Sequence, residues 1–225
     1  MLSGHPRVRT MKSVYKLVLF DLDETLIKGR TIHVVGEKKG FLASVLKLES
    51  CQMISYKKNI EIAKLLTNMS STELLDIFRS IPLQDYVQQV MTALKKKEVC
   101  TAIVTNTYQF LADDLKNRLG MDYAVGNTLR IKNGVITGEL IVNNTRLQEM
   151  FDGCKIHPIC KRSVVDEFCQ KLKIKPSEVI AVGDGKIDIC MLENAGLGVA
   201  FNASKAVQEH ADISTSDLRI ILQYV

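Results

Sequence analysis

The chain has 225 residues, 46% of them hydrophobic and 24% charged, with a net charge of +5. That balance supports a sizeable core and excludes a disordered chain. No apolar stretch is long enough to cross a bilayer, and the first sixteen residues lack the apolar centre of a signal peptide. The positive charge is local. Arg7, Arg9, Lys12 and Lys16 stand with no acid among those sixteen residues, and the remainder is close to neutral, so no basic face for nucleic acid is expected.

Residues 1–14 read as a disordered basic leader. The next stretch, 17–20, is a short apolar run that predicts a buried strand. It ends abruptly at Asp21-Leu22-Asp23-Glu24-Thr25. Taken alone, this is either an acidic turn or a site, because ligands of open parallel sheets bind beyond the carboxyl ends of the strands. In an extended segment Asp21 and Asp23 would point to the same side, where a divalent cation relieves their repulsion.

Gly29 offers a hinge, and residues 30–82 are expected to form a small helical insertion with no strand. Within it, 59–66 has a helical apolar pattern. Ser70-Ser71-Thr72-Glu73 reads as a capping box ahead of another helix. An amphipathic helix follows over 85–97, with Val87, Val90, Met91 and Leu94 on one face. A second strand, 99–104, ends in Thr105-Asn106-Thr107, and a helix over 111–119 stops at Gly120. Alternation around Asn133-Gly134 predicts a β-hairpin flap over 129–137.

Lys161 opens a helix over 161–172. A third strand, 179–182, runs into Gly183-Asp184-Gly185-Lys186-Ile187-Asp188, followed by a helix over 187–194 and a strand over 198–201. A helix at 203–210, a short strand at 213–214 and a closing helix at 217–223 complete the chain. Strands alternating with helices predict an α/β fold, a Rossmann-like parallel sheet with helices on both faces. The expected organisation is a core of 15–29 and 83–225 with a cap of 30–82.

The six cysteines are dispersed without a CxxC pair, as reduced thiols of a cytoplasmic protein are. Cys154, His157 and Cys160, with Cys169 nine residues on, could offer zinc ligands, but their spacing matches no common structural pattern, and buried thiols are the preferred reading.

Three strands thus end in polar groups: Asp21/Asp23, Thr105 and Asp184/Asp188. Carboxylates for Mg²⁺, a nucleophile, a hydroxyl donor and a fixed lysine are what phosphoryl transfer needs. DxDxT, a hydroxyl residue after the second strand, a lysine and then GDGxxD resemble, in that order, the haloacid dehalogenase superfamily of phosphohydrolases. The helical insertion, and a flap with Ala124, Asn127, Leu129, Gly134, Thr137 and Gly138, resemble the phosphoserine phosphatase branch.

The resemblance implies that Asp21 attacks phosphorus and that Asp23 is the acid and base. Asp21, the Asp23 carbonyl and Asp184 would hold Mg²⁺, with Asp188 orienting water or the metal. Thr105, Lys161 and strand-end backbone N–H groups, at Asn106 and Gly185 among them, would cradle the phosphoryl group. Taken singly, Thr105 could be a helix cap and Lys161 a solvated lysine.

The specificity residues depart from that branch. Its ammonium-binding Glu is replaced by Arg30, its carboxylate-binding Arg by Asn59 in an ungapped register (a shift would bring Lys57 or Lys58 there), its Ser-Gly-Gly by Thr105-Asn106-Thr107, and an Asn by Ile187. Arg30 would favour a carboxylate or a second phosphate, unless it is only a solvated hinge residue. The expected substrate is a small phosphorylated metabolite other than phosphoserine. A true phosphoserine phosphatase that reads the amino acid by other residues, transfer of the phosphoryl group to an alcohol, and a non-catalytic phosphate-responsive module are the alternatives. Asp23 argues against the module.

Overall fold

Four consecutive apolar residues form strand β1 (Leu17–Phe20) because both faces of the sheet are covered. Strand parity sorts them: Val18 and Phe20 enter one apolar cluster, Leu17 and Leu19 the other. The computed structural model describes residues 15–145, 147 and 156–225; the basic leader at 1–14 and Cys154 lie outside them. Four helices follow β1: α1 (Thr31–Lys39), α2 (Leu42–Ser50), α3 (Ser55–Lys64) and α4 (Ser71–Arg79).

Beyond them come α5 (Val87–Lys96), β2 (Cys100–Tyr108), α6 (Gln109–Leu119), β3 (Tyr123–Lys132) and β4 (Val135–Ile141). The rest is α7 (Lys161–Leu172), β5 (Val179–Gly183), α8 (Ile189–Asn194), β6 (Leu197–Phe201), α9 (Lys205–Gln208) and β7 (Ile213–Thr215). A 3₁₀ segment, Leu218–Gln223, closes the chain.

The strands make one seven-stranded sheet in the order β4-β3-β2-β1-β5-β6-β7, parallel except for β4 along β3. The fold is α/β and Rossmann-like. From β1 the chain builds outward through β2 and β3, then crosses to β5 on the other side. The connections therefore diverge at the β1/β5 boundary, where such sheets open a crevice beyond their carboxyl ends. Helices α5 and α6 cover the Val18/Phe20 face, and α7, α8 and α9 cover the Leu17/Leu19 face. No helix of the described residues is long and apolar enough to cross a membrane.

The four helices after β1 leave and re-enter the sheet region side by side. Lys28 N donates to Pro82 O at 2.7 Å and Gln84 N to Leu26 O at 2.9 Å. Asn133 and Gly134 take the left-handed backbone of a tight hairpin turn, at φ 52° and 77°. That tip replaces the expected capping box. Ser70 makes no side-chain cap, Ser71 N and Oγ instead donate to Gly134 O at 2.8 and 3.0 Å, and Glu73 turns to Lys39 at 2.7 Å.

Three other expectations shift. Helix α3 begins at Ser55 rather than at 59, because its polar first turn faces a cavity instead of solvent. Strand β2 runs on through Thr105–Thr107 to Tyr108, with a register shift past Val104, because β3 continues beside it. The last segment is a 3₁₀ turn rather than an α-helix.

Gly138 of β4 lies at φ +83°, and a Cβ there would overlap Thr67 Oγ1 just beyond α3. Gly138→Ala is expected to cost more than about 1 kcal/mol, read as a lower urea midpoint with an unchanged slope.

Candidate functional site

A cavity of about 580 Å³ opens beyond the carboxyl ends of β1, β2 and β5, with α1, α2 and α3 on its other side. Asp21 continues the parity of Leu17 and Leu19, and so faces the side covered by α7. Lys161, the first residue of α7, reaches it there. The lysine side chain is 1% exposed, and its Nζ bonds Asp21 Oδ1 and Asp188 Oδ1 at 2.5 Å each.

The second Asp188 oxygen accepts from Asp184 N at 3.1 Å and Gly185 N at 2.9 Å. This closeness requires Gly183, where a Cβ would lie 2.5 Å from Asp188 Cγ. Asp184 Oδ1 accepts from Thr25 Oγ1 at 3.0 Å. Asp21, Asp184 and Asp188 each offer an oxygen, all within 4.8 Å of one another.

Three carboxyl groups thus face one ammonium, and their proton affinities record the imbalance. Burial pushes Asp21 up; Lys161 opposes this, while Asp188 and Asp184 add to it. Burial, then Asp188, raises Asp184 to about 6. Burial alone would lower the Lys161 pKa, but Asp188 and Asp21 outweigh it and keep the lysine charged. An oxygen-rich, acid-heavy cluster of this kind fits a hard divalent cation.

Asp23 stands outside the cluster. Its Oδ1 accepts from Thr31 N at 2.8 Å and Thr31 Oγ1 at 2.5 Å, and its Oδ2 from Thr107 Oγ1 at 2.7 Å. The chain leaves extended geometry at Glu24, φ 59°, directly after Asp23. Thr105 is 1% exposed, and its Oγ1 accepts from Thr107 N at 3.0 Å, leaving the hydroxyl proton uncommitted among the described residues. The buried Asn106 Oδ1 has no hydrogen-bond partner among them.

The far wall is mixed. Arg30 Nη1 meets Glu49 Oε1 at 3.1 Å, and its Nε meets Glu24 Oε2 at 3.5 Å. Glu49 Oε2 also meets His33 at 2.9 Å. Lys58 Nζ donates to Glu49 O at 2.6 Å, and Asn59 Nδ2 donates back to Ser55 O at 3.0 Å.

Asp21, Asp23, Thr105, Asn106, Asp184, Gly185, Asp188, Arg30 and Asn59 all line the cavity, while Lys161 stands behind its floor. Lys58, the alternative carboxylate-binding cation, lines it too, as do Glu49, Thr31 and Thr107, to which the sequence assigns no catalytic role. Only the polar spacing of Thr105-Asn106-Thr107 hinted at Thr107. Of the four possible zinc ligands, His157 bonds Ser55 Oγ at 3.1 Å, Cys160 Sγ caps α7 through Ser163 N at 3.5 Å, and Cys169 is buried in the apolar cluster under α7.

Residues 15–196 match the family model described as haloacid dehalogenase-like hydrolase. A phosphoserine phosphatase of Archaeoglobus fulgidus is 33% identical over 92% of this chain, which spans 58% of that relative's length. One from Albidiferax ferrireducens is 30% identical over 90% of this chain and 85% of its own. A solved structure described as a phospho-aspartyl intermediate analogue of phosphoserine phosphatase superposes with a TM-score of 0.78. Its sequence identity is 27%, over 94% of this chain and 99% of that one.

Lys161→Met would leave two buried carboxylates without their counter-charge. Unfolding in urea is expected to show a loss of about 3–5 kcal/mol. A loss below 1 kcal/mol would contradict a buried triad.

Proposed function

This chain belongs to the haloacid dehalogenase-like hydrolases and is a phosphatase, and from that premise we propose that it hydrolyses a small phosphorylated metabolite with Mg²⁺ through a phospho-aspartyl intermediate. The observation that carries the reading is the cluster of Asp21, Asp184 and Asp188 around Lys161 at the strand ends. Residues 30–82 act as a cap over it, hinged near Gly29 and Leu83.

In the proposed reaction an Asp21 oxygen bonds to phosphorus while the bond to the leaving oxygen breaks, and Asp23 gives its proton to that oxygen. Asp23 then takes a proton from water as the water oxygen attacks the aspartyl-phosphate, releasing inorganic phosphate and Asp21. Lys161 orients Asp21 and neutralises charge on the phosphoryl group as a point charge. The Thr105 hydroxyl proton and strand-end N–H groups donate to phosphoryl oxygens. Asp21, Asp184 and the Asp23 carbonyl would hold Mg²⁺, whose charge lets an anionic carboxylate approach an anionic phosphate. Asp188 steadies that arrangement through Lys161 and the backbone of Asp184 and Gly185.

A substrate other than phosphoserine is the reading we favour, because Arg30 brings a cation to the wall where the resembling branch uses an acid. One observation favours a second reading. Glu49 lines the same wall and could receive an ammonium, so phosphoserine could be read by a different carboxylate.

The test is turnover of p-nitrophenyl phosphate and of phosphorylated amino acids, sugars and nucleotides, with and without Mg²⁺. Activity is expected to require the metal and to fall by a factor on the order of 10³ or more in Asp21→Asn. Arg30→Ala is expected to raise KM for the best substrate about tenfold, the value of one charged hydrogen bond. Selective, efficient hydrolysis of phosphoserine, lost in Glu49→Gln, would favour the second reading.

A further inference from the structure

We propose that Thr107 and Thr31 are positioning residues for Asp23, and that they tie proton transfer at this carboxylate to the seating of helix α1. The inference rests on the acid–base role given to Asp23 above.

The two oxygens of Asp23 are held differently. Oδ1 takes two donors from one residue, the backbone N–H and the hydroxyl of Thr31. A backbone N–H can only donate, so this oxygen is the anchored one. Oδ2 takes a single hydroxyl, that of Thr107 at 2.7 Å. A hydroxyl can rotate: it donates to the carboxylate and accepts from the protonated acid. Oδ2 is therefore the oxygen that can gain and release a proton without losing its partner. The glycine of the resembling Ser-Gly-Gly pattern has no side chain to do this.

Thr31 supplies the link to the helix. It is the first residue of α1, 1% exposed, and its N–H is one of the donors that a helix start leaves unpaired. Arg30, at the N-cap, makes no side-chain cap. Asp23 takes that place from the strand end, so α1 holds the carboxylate and the carboxylate holds α1. A shift of α1 as the cap moves would turn Oδ1 and carry Oδ2 with it. Thr107 on β2 supplies the fixed second point.

Leaving groups of graded basicity separate positioning of an acid from general support. p-Nitrophenolate departs without a proton, whereas an alkoxide needs one. The measurement is kcat/KM for p-nitrophenyl, phenyl and benzyl phosphates in the wild type, Thr107→Val, Thr107→Ser and Thr31→Val, with Thr107→Ala in reserve should the valine not fold. General acids contribute about 10²–10⁴-fold. Thr107→Val is therefore expected to lose about tenfold more on benzyl than on p-nitrophenyl phosphate, with Thr31→Val following the same slope. Thr107→Ser should stay within about twofold of the wild type, because it keeps the hydroxyl.

Equal losses on all three esters, or a serine variant as poor as the valine, would overturn the inference alone. No hydrolysis by the wild type, or an Asp21→Asn protein as active as the wild type, would overturn the phosphatase mechanism and this inference with it.

Discussion

Lys161, its side chain 1% exposed, sits between Asp21 and Asp188 at 2.5 Å from each. Burying a lysine is costly, and so is burying a carboxylate; together they persist because each satisfies the other. The arrangement depends on the fold at two points. Parity along β1 turns Asp21 to the face of the sheet that α7 covers, and α7 begins at Lys161 itself. Asp188 reaches the lysine because Gly183 leaves room for its carboxylate and the backbone N–H groups of Asp184 and Gly185 hold its other oxygen. Once Asp184 is added, the site holds more acid than one lysine neutralises. A divalent cation would answer that surplus.

The helices after β1 are tied to this floor by few but specific contacts. The entering and leaving strands pair at 26–28 and 82–84. The hairpin tip at Gly134 caps α4, and His157 bonds the first residue of α3. Asp23 bonds the first residue of α1. The last of these joins the carboxylate proposed as acid and base to the helical layer. In the opposite wall Arg30 pairs with Glu49, and behind it Arg30 also meets Glu24 and Glu49 also meets His33. Arg30 is thus already paired, and under the proposed function a substrate anion would have to compete with Glu49 for it.

The strand-end residues were legible from sequence for a physical reason. Strands buried on both faces must be apolar throughout, so Asp21, Thr105 and Asp184 interrupt runs that packing alone would continue. Lys161 was legible only through its place in a series of motifs, since nothing local marks a lysine as buried. Contacts between distant segments were not legible: the grip of Thr31 and Thr107 on Asp23, and the pairing of Arg30 with Glu49, arise only when α1, α2 and β2 converge. Two local signals misled. Ser70 and Glu73 have capping-box spacing, but Gly134 of the hairpin occupies the helix start. The first turn of α3 lacks an apolar stripe because Ser55 and Lys58 face the cavity.

The central claim is that Asp21 carries the phosphoryl group during turnover. The most direct measurement is mass spectrometry of protein quenched in acid during turnover of p-nitrophenyl phosphate. The account predicts one added phosphoryl group on the peptide that contains Asp21, removable by hydroxylamine and missing from Asp21→Asn. Turnover with the added group on another residue, or with no adduct and an active Asp21→Asn protein, would contradict it.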